Sequence, residues 1–360
     1  MRHLFYISAG FVFVVIFFGV IQSFAEENTA FPTDLDNTQN QQKEQIKENK
    51  EDQSEISIFM VGDIMLDRDI RKIATKQKNY EYAFELIDET IKNFDIRIAN
   101  LEGPITDFKS VSEPNGLLKF TIPVDFLSPI SKRFEAVSLA NNHMLDFGQT
   151  GYSQTKKYLS KYRISYFGDA QNREEFISTI ITKNNFKIGL VGYHATWNED
   201  TKNIINEIQK IKNSADYVIV YPHWGYEYKN MPSTQQKKQA KSFIDSGASL
   251  VIGSHPHVTQ TIEIYKNKAI FYSLGNFIFD QYWSTETMRG LAIGLKITKT
   301  KNKTSQSFSL FPIDINTKAQ PEIATQENTK KMLNRLSESA TADEKIKQQI
   351  LKGEFIIFEE

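Results

Sequence analysis

The chain has 360 residues, 24% of them charged and 40% hydrophobic. That globular composition excludes a wholly disordered or collagen-like protein and allows about two domains, or one large α/β domain with extensions. Lys and Arg number 43 against 44 Asp and Glu, so a net charge of −1 provides no basic field to draw nucleic acid or anionic lipid. The absence of cysteine removes disulfides, thiolate metal sites, a cysteine nucleophile and a lipidated N-terminal cysteine, so any metal must be held by oxygen and imidazole nitrogen.

Arg2 precedes an apolar run from Leu4 to Ile21, followed by Ser23-Phe24-Ala25, with small residues at the positions that signal peptidase reads. Residues 1–25 are expected to be either a cleaved export signal or an uncleaved membrane anchor; the run is long for the first and just long enough for the second. In both cases the flanking charges direct the remainder outward, to a periplasmic or extracytoplasmic location. Residues 26–55, rich in Asn, Gln and acid, are expected to be a disordered polar linker because they bury too little apolar surface to offset chain entropy. A folded domain is expected over 56–315 and a helical extension docked on it over 316–360.

From Ile56 onward, short β-rich runs alternate with helix-like stretches. Strands are predicted at Ile56–Val61, Ile96–Leu101, Ala136–Ala140, Ile164–Phe167, Ile188–Tyr193, Tyr217–Tyr221, Leu250–Gly253 and Ala269–Leu274. Helices are predicted at Tyr80–Phe94, Gly151–Tyr162 and Ser233–Ser246, the last stopping at Gly247. This alternation argues for an α/β class with mainly parallel pairing. The closely spaced runs Ile262–Tyr265, Ala269–Leu274, Leu291–Ile297 and Phe308–Ile313 predict an antiparallel or mixed second sheet. Beyond Gln320, one or two charged helices precede an apolar Phe355-Ile356-Ile357-Phe358 that should dock on the fold.

The residues that follow the strands carry the chemistry. Five strands are followed in turn by Gly62-Asp63, Asn100-Leu101-Glu102, Asn141-Asn142-His143 with Asp146, Pro222-His223-Trp224-Gly225 and Ser254-His255-Pro256-His257. Singly, each has a plain explanation: Gly-Asp makes turns, Asn caps helices, and a histidine beside a tryptophan fits a satisfied core. Together they place carboxylates, amides and imidazoles at the C-terminal edge of one sheet system, where α/β folds build sites. Of six histidines, His3 lies in the export segment and His194 is left over; the other four are strand-end residues. Pro256 is expected to hold His255 extended, so that His255 and His257 face the same side as a pair of metal ligands.

These residues resemble a known family. Gly62-Asp63-Ile64-Met65-Leu66-Asp67-Arg68, Asn100-Leu101-Glu102-Gly103-Pro104-Ile105-Thr106, Ala140–Gly148, His223–Tyr228, Gly253–Val258 and Ser273–Gln281 follow the order of the CapA family of poly-γ-glutamate capsule biosynthesis proteins. That family is similar to the calcineurin-like metallophosphoesterases. The resemblance implies a four-layer α/β/β/α sandwich. It also implies one or two divalent ions, with Mn, Fe or Zn suited to the mixed donors. Carried over by position, Asp63, Glu102, Asn142, His223, His255 and His257 become the metal ligands. His143 becomes the proton donor or transition-state stabiliser, oriented by Asp146. Trp224, Glu227, Asn276, Asp280 and Gln281 become candidates to line the substrate pocket, although Glu227 is equally readable as a cap. Two positions depart from the superfamily pattern: Met65 stands where a histidine is usual, and Glu102 where an aspartate is usual.

The implied role is in assembly or export of a capsule polymer resembling poly-γ-glutamate, with membrane polymer-synthetase or export subunits as partners. The alternatives are an extracytoplasmic phosphoesterase acting on a small phosphate ester, and a non-catalytic, metal-stabilised partner of a membrane synthetase. An anionic polymer or a phosphate ester is the expected ligand, and nucleic acid is not. No P-loop is present to drive ATP-dependent ligation.

Overall fold

The computed structural model describes residues 54–359, apart from 113–117, 174, 176, 198, 301 and 302. The expected signal or anchor at 1–25 and nearly all of the expected linker lie outside the described residues. Ser54 and Glu55 already belong to the first strand, Ser54–Ile64. Among the described residues, no helix is long and apolar enough to cross a membrane.

Two large sheets organise these residues. In the first, the strand order is Pro321–Ile323, Thr304–Ile315, Arg289–Lys299, Ser54–Ile64, Ile96–Leu101, Ala136–Ser138 and Ser165–Phe167. The last four run parallel, whereas the Arg289–Lys299 and Thr304–Ile315 strands attach antiparallel. Asn276–Ile278 joins the C-terminal end of the first strand, pairing Asp63 with Asn276. In the second sheet the order is Ile262–Tyr265, Lys268–Phe271, Leu250–Ile252, Tyr217–His223, Phe186–His194 and Ser178–Lys183, with a parallel centre and antiparallel edges.

Strand alternation explains how the sheets stack. Ile56, Ile58 and Met60 share one apolar core with Ile188, Leu190, Ile219, Tyr221, Leu250 and Ile252 of the second sheet. The intervening residues Phe59 and Val61 point the other way, onto Ile70 and Ala74 of the Arg68–Gln77 helix and Leu159 of the Gly148–Lys161 helix. On the far face of the second sheet, Val191, Val218 and Val220 meet Ile204 and Ile208 of the Lys202–Ile211 helix and Phe243 of the Thr234–Ser246 helix. The order is helices, sheet, sheet, helices: a mixed α/β fold.

Local chemistry sets several boundaries. Ser233 caps the Thr234–Ser246 helix through a capping box with Gln236, and Gly247 ends it at φ 118°, the stop expected from sequence. The expected Tyr80–Phe94 helix is broken. Tyr82, Ala83 and Phe84 are all buried in succession and form a single tight turn, and only Asp88–Ile91 is α-helical. Three consecutive buried side chains do not fit one helical stripe.

The late strands do not form one sheet. Ile262–Tyr265 and Lys268–Phe271 make a hairpin in the second sheet, but Arg289–Lys299 and Thr304–Ile315 make one in the first. The C-terminal residues form helices Gln326–Ser339 and Glu344–Ile350, then a strand, Glu354–Glu359, on the edge of Thr304–Ile315. Only alternate residues of its apolar stretch dock: Phe355 and Ile357 are buried, while Ile356 and Phe358 are exposed.

The candidate site lies where strands of both sheets end. Gly62 is required there by close approach, since a Cβ at that position would lie 1.9 Å from the carbonyl oxygen of Gly275. The Asp63 amide donates to the same oxygen at 3.1 Å, which fixes the backbone from which the Asp63 carboxylate projects.

Candidate metal centre

Asp63, Glu102, Asn142, His143, His223, His255 and His257 converge. Asp63 and Glu102 are fully buried, and His223 and His257 nearly so. The Asp63 carboxylate accepts from Asn100 Nδ2 at 2.8 Å and from the His255 amide at 3.2 Å. Asn100 is itself held by Asn141 Nδ2, at 3.2 Å to its Oδ1. Asn142 Oδ1 lies 2.8 Å from His223 Nε2, which in turn lies 3.1 Å from His255 Nδ1. His257 reaches both acids: Nδ1 is 3.4 Å from Asp63 and Nε2 is 3.7 Å from Glu102.

The backbone of the His255-Pro256-His257 segment is not extended. His255 has φ 95° and His257 φ 58°, both in the left-handed region that side chains other than glycine avoid. The two rings still enter one site, with centroids 6.0 Å apart, but by a twisted route rather than by strand alternation. Strain of this kind persists where the surroundings fix it, and here the Tyr228 amide clamps the Pro256 carbonyl at 2.8 Å.

The donor set tests whether a cation fits. Both oxygens of Glu102 are buried without a hydrogen-bond partner, a costly state for a carboxylate unless a cation is to be bound. Burial and the adjacent Asp63 push the Glu102 carboxyl well above the usual carboxylate range. Burial opposes charge on His257, but Glu102 and Asp63 outweigh it and raise its pKa to about 9. Burial and neighbouring histidines hold His223 and His255 well below the ordinary imidazole value, in the neutral form that ligates metals. Ligand atoms of Asp63, Glu102 and His223 lie within 4.8 Å of one another, as do those of Glu227, His255 and His257. Surplus buried carboxylate with neutral imidazoles fits a divalent ion.

His143 stands at the rim. Its Nδ1 lies 2.8 Å from Asp146 and its Nε2 3.9 Å from Glu102, and its ring packs on Phe120 at 4.0 Å. Asp146 also accepts from the Phe120 amide at 2.7 Å, tying this wall together. The leftover His194 is a satisfied core residue. It bonds the Ala170 carbonyl at 2.7 Å and Thr196 at 2.5 Å, and burial lowers its pKa to about 4.

The sequence profile described as Bacterial capsule synthesis protein PGA_cap matches residues 57–281, a stretch that contains all six of the motifs above. The chain belongs to this capsule synthesis family. It is 31% identical over 253 residues to the Capsule biosynthesis protein CapA of Bacillus anthracis, covering 64% of this chain and 61% of that one. To the PGA biosynthesis protein CapA of Bacillus subtilis strain 168 it is 31% identical over 277 residues, covering 72% of each. The match thus spans about three fifths of the first relative's length. A solved hypothetical protein of Thermus thermophilus superposes with a TM-score of 0.46 at 13% identity, covering 71% of this chain and 99% of that one.

Several expected pocket residues of this PGA_cap chain do other work. Trp224 does not wall the metal site. It is fully buried in the core behind the second sheet, donates Nε1 to the Tyr272 carbonyl at 2.9 Å and stacks near Phe243. His223 faces the site, and its sequence neighbour must face away. Asn276 is buried behind His257. Its Oδ1 lies 3.0 Å from His257 Nδ1, while its Nδ2 donates to Gln281 Oε1 and to the Thr287 carbonyl at 2.9 Å. Gln281 therefore braces Asn276. Asp280 is taken by Arg68, whose Nε donates to it at 2.9 Å, and by the Asp69 amide at 3.1 Å.

Met65 is buried in the apolar core, and its sulfur accepts the Asp67 amide at 3.1 Å. Asn100, Asn141 and Ser254 were not expected in the site. Ser254 Oγ is 3.1 Å from His223 Nδ1. All three lie within the motifs themselves, which was the available signal.

Because Asn276 fixes the ring orientation of His257 from behind, Asn276→Ala is expected to weaken divalent-metal affinity roughly 10- to 100-fold, the usual consequence of losing such a partner. Competition with a metallochromic chelator measures it, and an unchanged affinity would remove Asn276 from that role.

Proposed function

We propose that the chain serves the synthesis or export of an anionic capsule polymer of the poly-γ-glutamate type. In this reading the strand-end cluster is a divalent-metal hydrolytic centre on a metallophosphoesterase-type sandwich. Family membership supports the polymer context, as do relatives named for capsule and PGA biosynthesis. The observation that carries the metal-centre reading is Glu102, a fully buried carboxylate with neither oxygen hydrogen-bonded, close to Asp63, His143, His223 and His257. Asp63, Glu102, Asn142, His223, His255 and His257 would hold the metal, with Mn, Fe or Zn matching their oxygen and nitrogen donors. A bound ion there supplies Lewis-acid polarisation and a water acidic enough to ionise near neutral pH.

The chain's own residues do the rest. An ionised carboxylate can only accept, so Asp146 accepts a hydrogen bond from the Nδ1–H of His143 and leaves Nε2 to hold or pass a proton at the site. Phe120, packed on that ring, limits its rotation. Such a centre suits an extracytoplasmic protein working beside membrane synthetase subunits, with residues 1–25 as its export or anchoring element, residues 56–315 as the working domain and 316–360 as its extension.

The test is turnover of a chromogenic phosphodiester and of γ-linked glutamate oligomers by metal-loaded protein. His143→Ala is expected to lower kcat by roughly 10²- to 10⁴-fold, the range for a general acid, while bound metal stays constant. Metal-loaded wild type that turns over neither substrate would overturn the hydrolytic reading in favour of a metal-stabilised partner of the synthetase. The buried Met65, where an imidazole is usual, is the observation on that side.

A further inference from the structure

We infer that Glu227 is a metal ligand, completing with His255 and His257 a second cation position beside that of Asp63, Glu102 and His223. The inference rests on the metal-centre reading above and goes beyond it, since position 65 leaves the set one donor short. Met65 is turned into the apolar core and its sulfur is engaged by the Asp67 amide, so the first strand cannot supply that donor. A carboxylate oxygen of Glu227 lies within 4.8 Å of ring nitrogens of both His255 and His257.

The backbone brings it there by design of the loop. After His223 the chain turns at Gly225, with φ 85°, and again at Tyr228, with φ 61°. That positive φ favours glycine at 225, and a Cβ there would lie 2.6 Å from the Gln236 amide group, which would have to shift. The Tyr228 amide then donates to the carbonyl of Pro256, the residue between the two histidines. The loop carrying Glu227 is thus pinned to the segment whose rings it meets. The Tyr228 ring lies 6.1 Å from that of His257 and closes one side.

Chemistry favours a cation over a bare cluster. One carboxylate and two imidazoles set this close together, beside the buried acids Asp63 and Glu102, make a mixed oxygen and nitrogen donor set suited to a divalent cation. Glu227 is exposed, unlike Glu102, so a cation held by it would be open to solvent.

Full-length protein reconstituted with Mn(II) tests this through bound metal rather than activity. Elemental analysis after gel filtration, with electron paramagnetic resonance for spin-coupled ion pairs, gives the count. Wild type is expected to hold two ions per chain, and Glu227→Gln one, with loss of the coupled signal. Glu227→Asp should recover the second ion with weaker affinity. Because Glu227 is exposed, the Gln variant should fold normally, which circular dichroism checks.

A Gln variant that binds as many ions as wild type, with the same affinity, overturns the inference. In that case a raised KM with full metal would return Glu227 to substrate contact. Wild type that binds no ion under any reconstitution overturns the metal-centre reading itself, a distinct result.

Discussion

The His255→Ala, His257→Ala double variant should lose essentially all bound transition metal, whereas wild type reconstituted with Mn, Fe or Zn should retain it near stoichiometrically. The two rings carry much of the imidazole available to the site, and each contacts a different neighbour. His255 Nδ1 lies 3.1 Å from His223 Nε2, and His257 lies within 3.7 Å of both Asp63 and Glu102. Removing both takes two of the three imidazole ligands and leaves His223 as the one nitrogen donor of the proposed set, and the loss should exceed the roughly 10- to 100-fold penalty of an outer-shell change.

The variant should stay folded. Alanine at 255 and 257 removes rings that are buried but sit at the site rather than within the three apolar cores. The left-handed backbone strains histidine and alanine alike, so any stability lost comes from the missing ring contacts with His223 and Phe279. Elemental analysis of gel-filtered protein beside a thermal melt distinguishes the two effects. Metal retained in full by the folded double variant would remove His255 and His257 from the ligand set, whereas no metal in either protein would mean that the cluster is a polar cleft and that the orphaned Glu102 oxygens are satisfied by something other than a cation.

Much of this site was legible before any coordinates, because its residues sit at strand ends. A β-rich run followed by Asp, Asn or His is a local pattern, and parallel pairing brings such ends to one edge without further information. Asp63 and Asn100 pair across neighbouring strands in register, as do His194 and His223. What the sequence hid was decided by contacts between distant segments. The left-handed turn at His255 depends on the clamp from Tyr228 to Pro256. The Arg289–Lys299 strand joins the first sheet because it pairs with Ser54–Ile64, more than two hundred residues upstream. Asn276 looked like a pocket residue until its partners, His257 on one side and Gln281 and Thr287 on the other, showed it as a brace. Family resemblance supplied positions for the ligands and included Asn100 and Asn141 in its motifs, but gave no role to these two, which hold Asp63 in place.

Trp224 is where local pattern and structure part most sharply, and it gives the largest expected effect on stability. Read as a neighbour of His223, it belonged beside the metal. Strand geometry turns it to the opposite face, where it is fully buried, stacked near Phe243 and Tyr272, and hydrogen-bonded to the Tyr272 carbonyl. Trp224→Ala should therefore lower unfolding free energy by about 3–5 kcal/mol, the range for truncating a buried aromatic. It should also leave the Tyr272 carbonyl without that donor. Trp224→Phe, which keeps a ring but not the N–H, should lose less. The same Phe variant should bind metal as wild type does, because nothing in the His223 contacts depends on the indole.

Urea denaturation followed by far-UV circular dichroism measures the stability change, with elemental analysis on the same samples. A Trp224→Ala protein as stable as wild type but deficient in substrate binding would reverse the assignment and place the indole back at the site. The expected pattern, lost stability with metal retained in the Phe variant, follows from strand alternation: neighbouring residues at the same strand end serve opposite faces of the sheet, one for chemistry and one for the core.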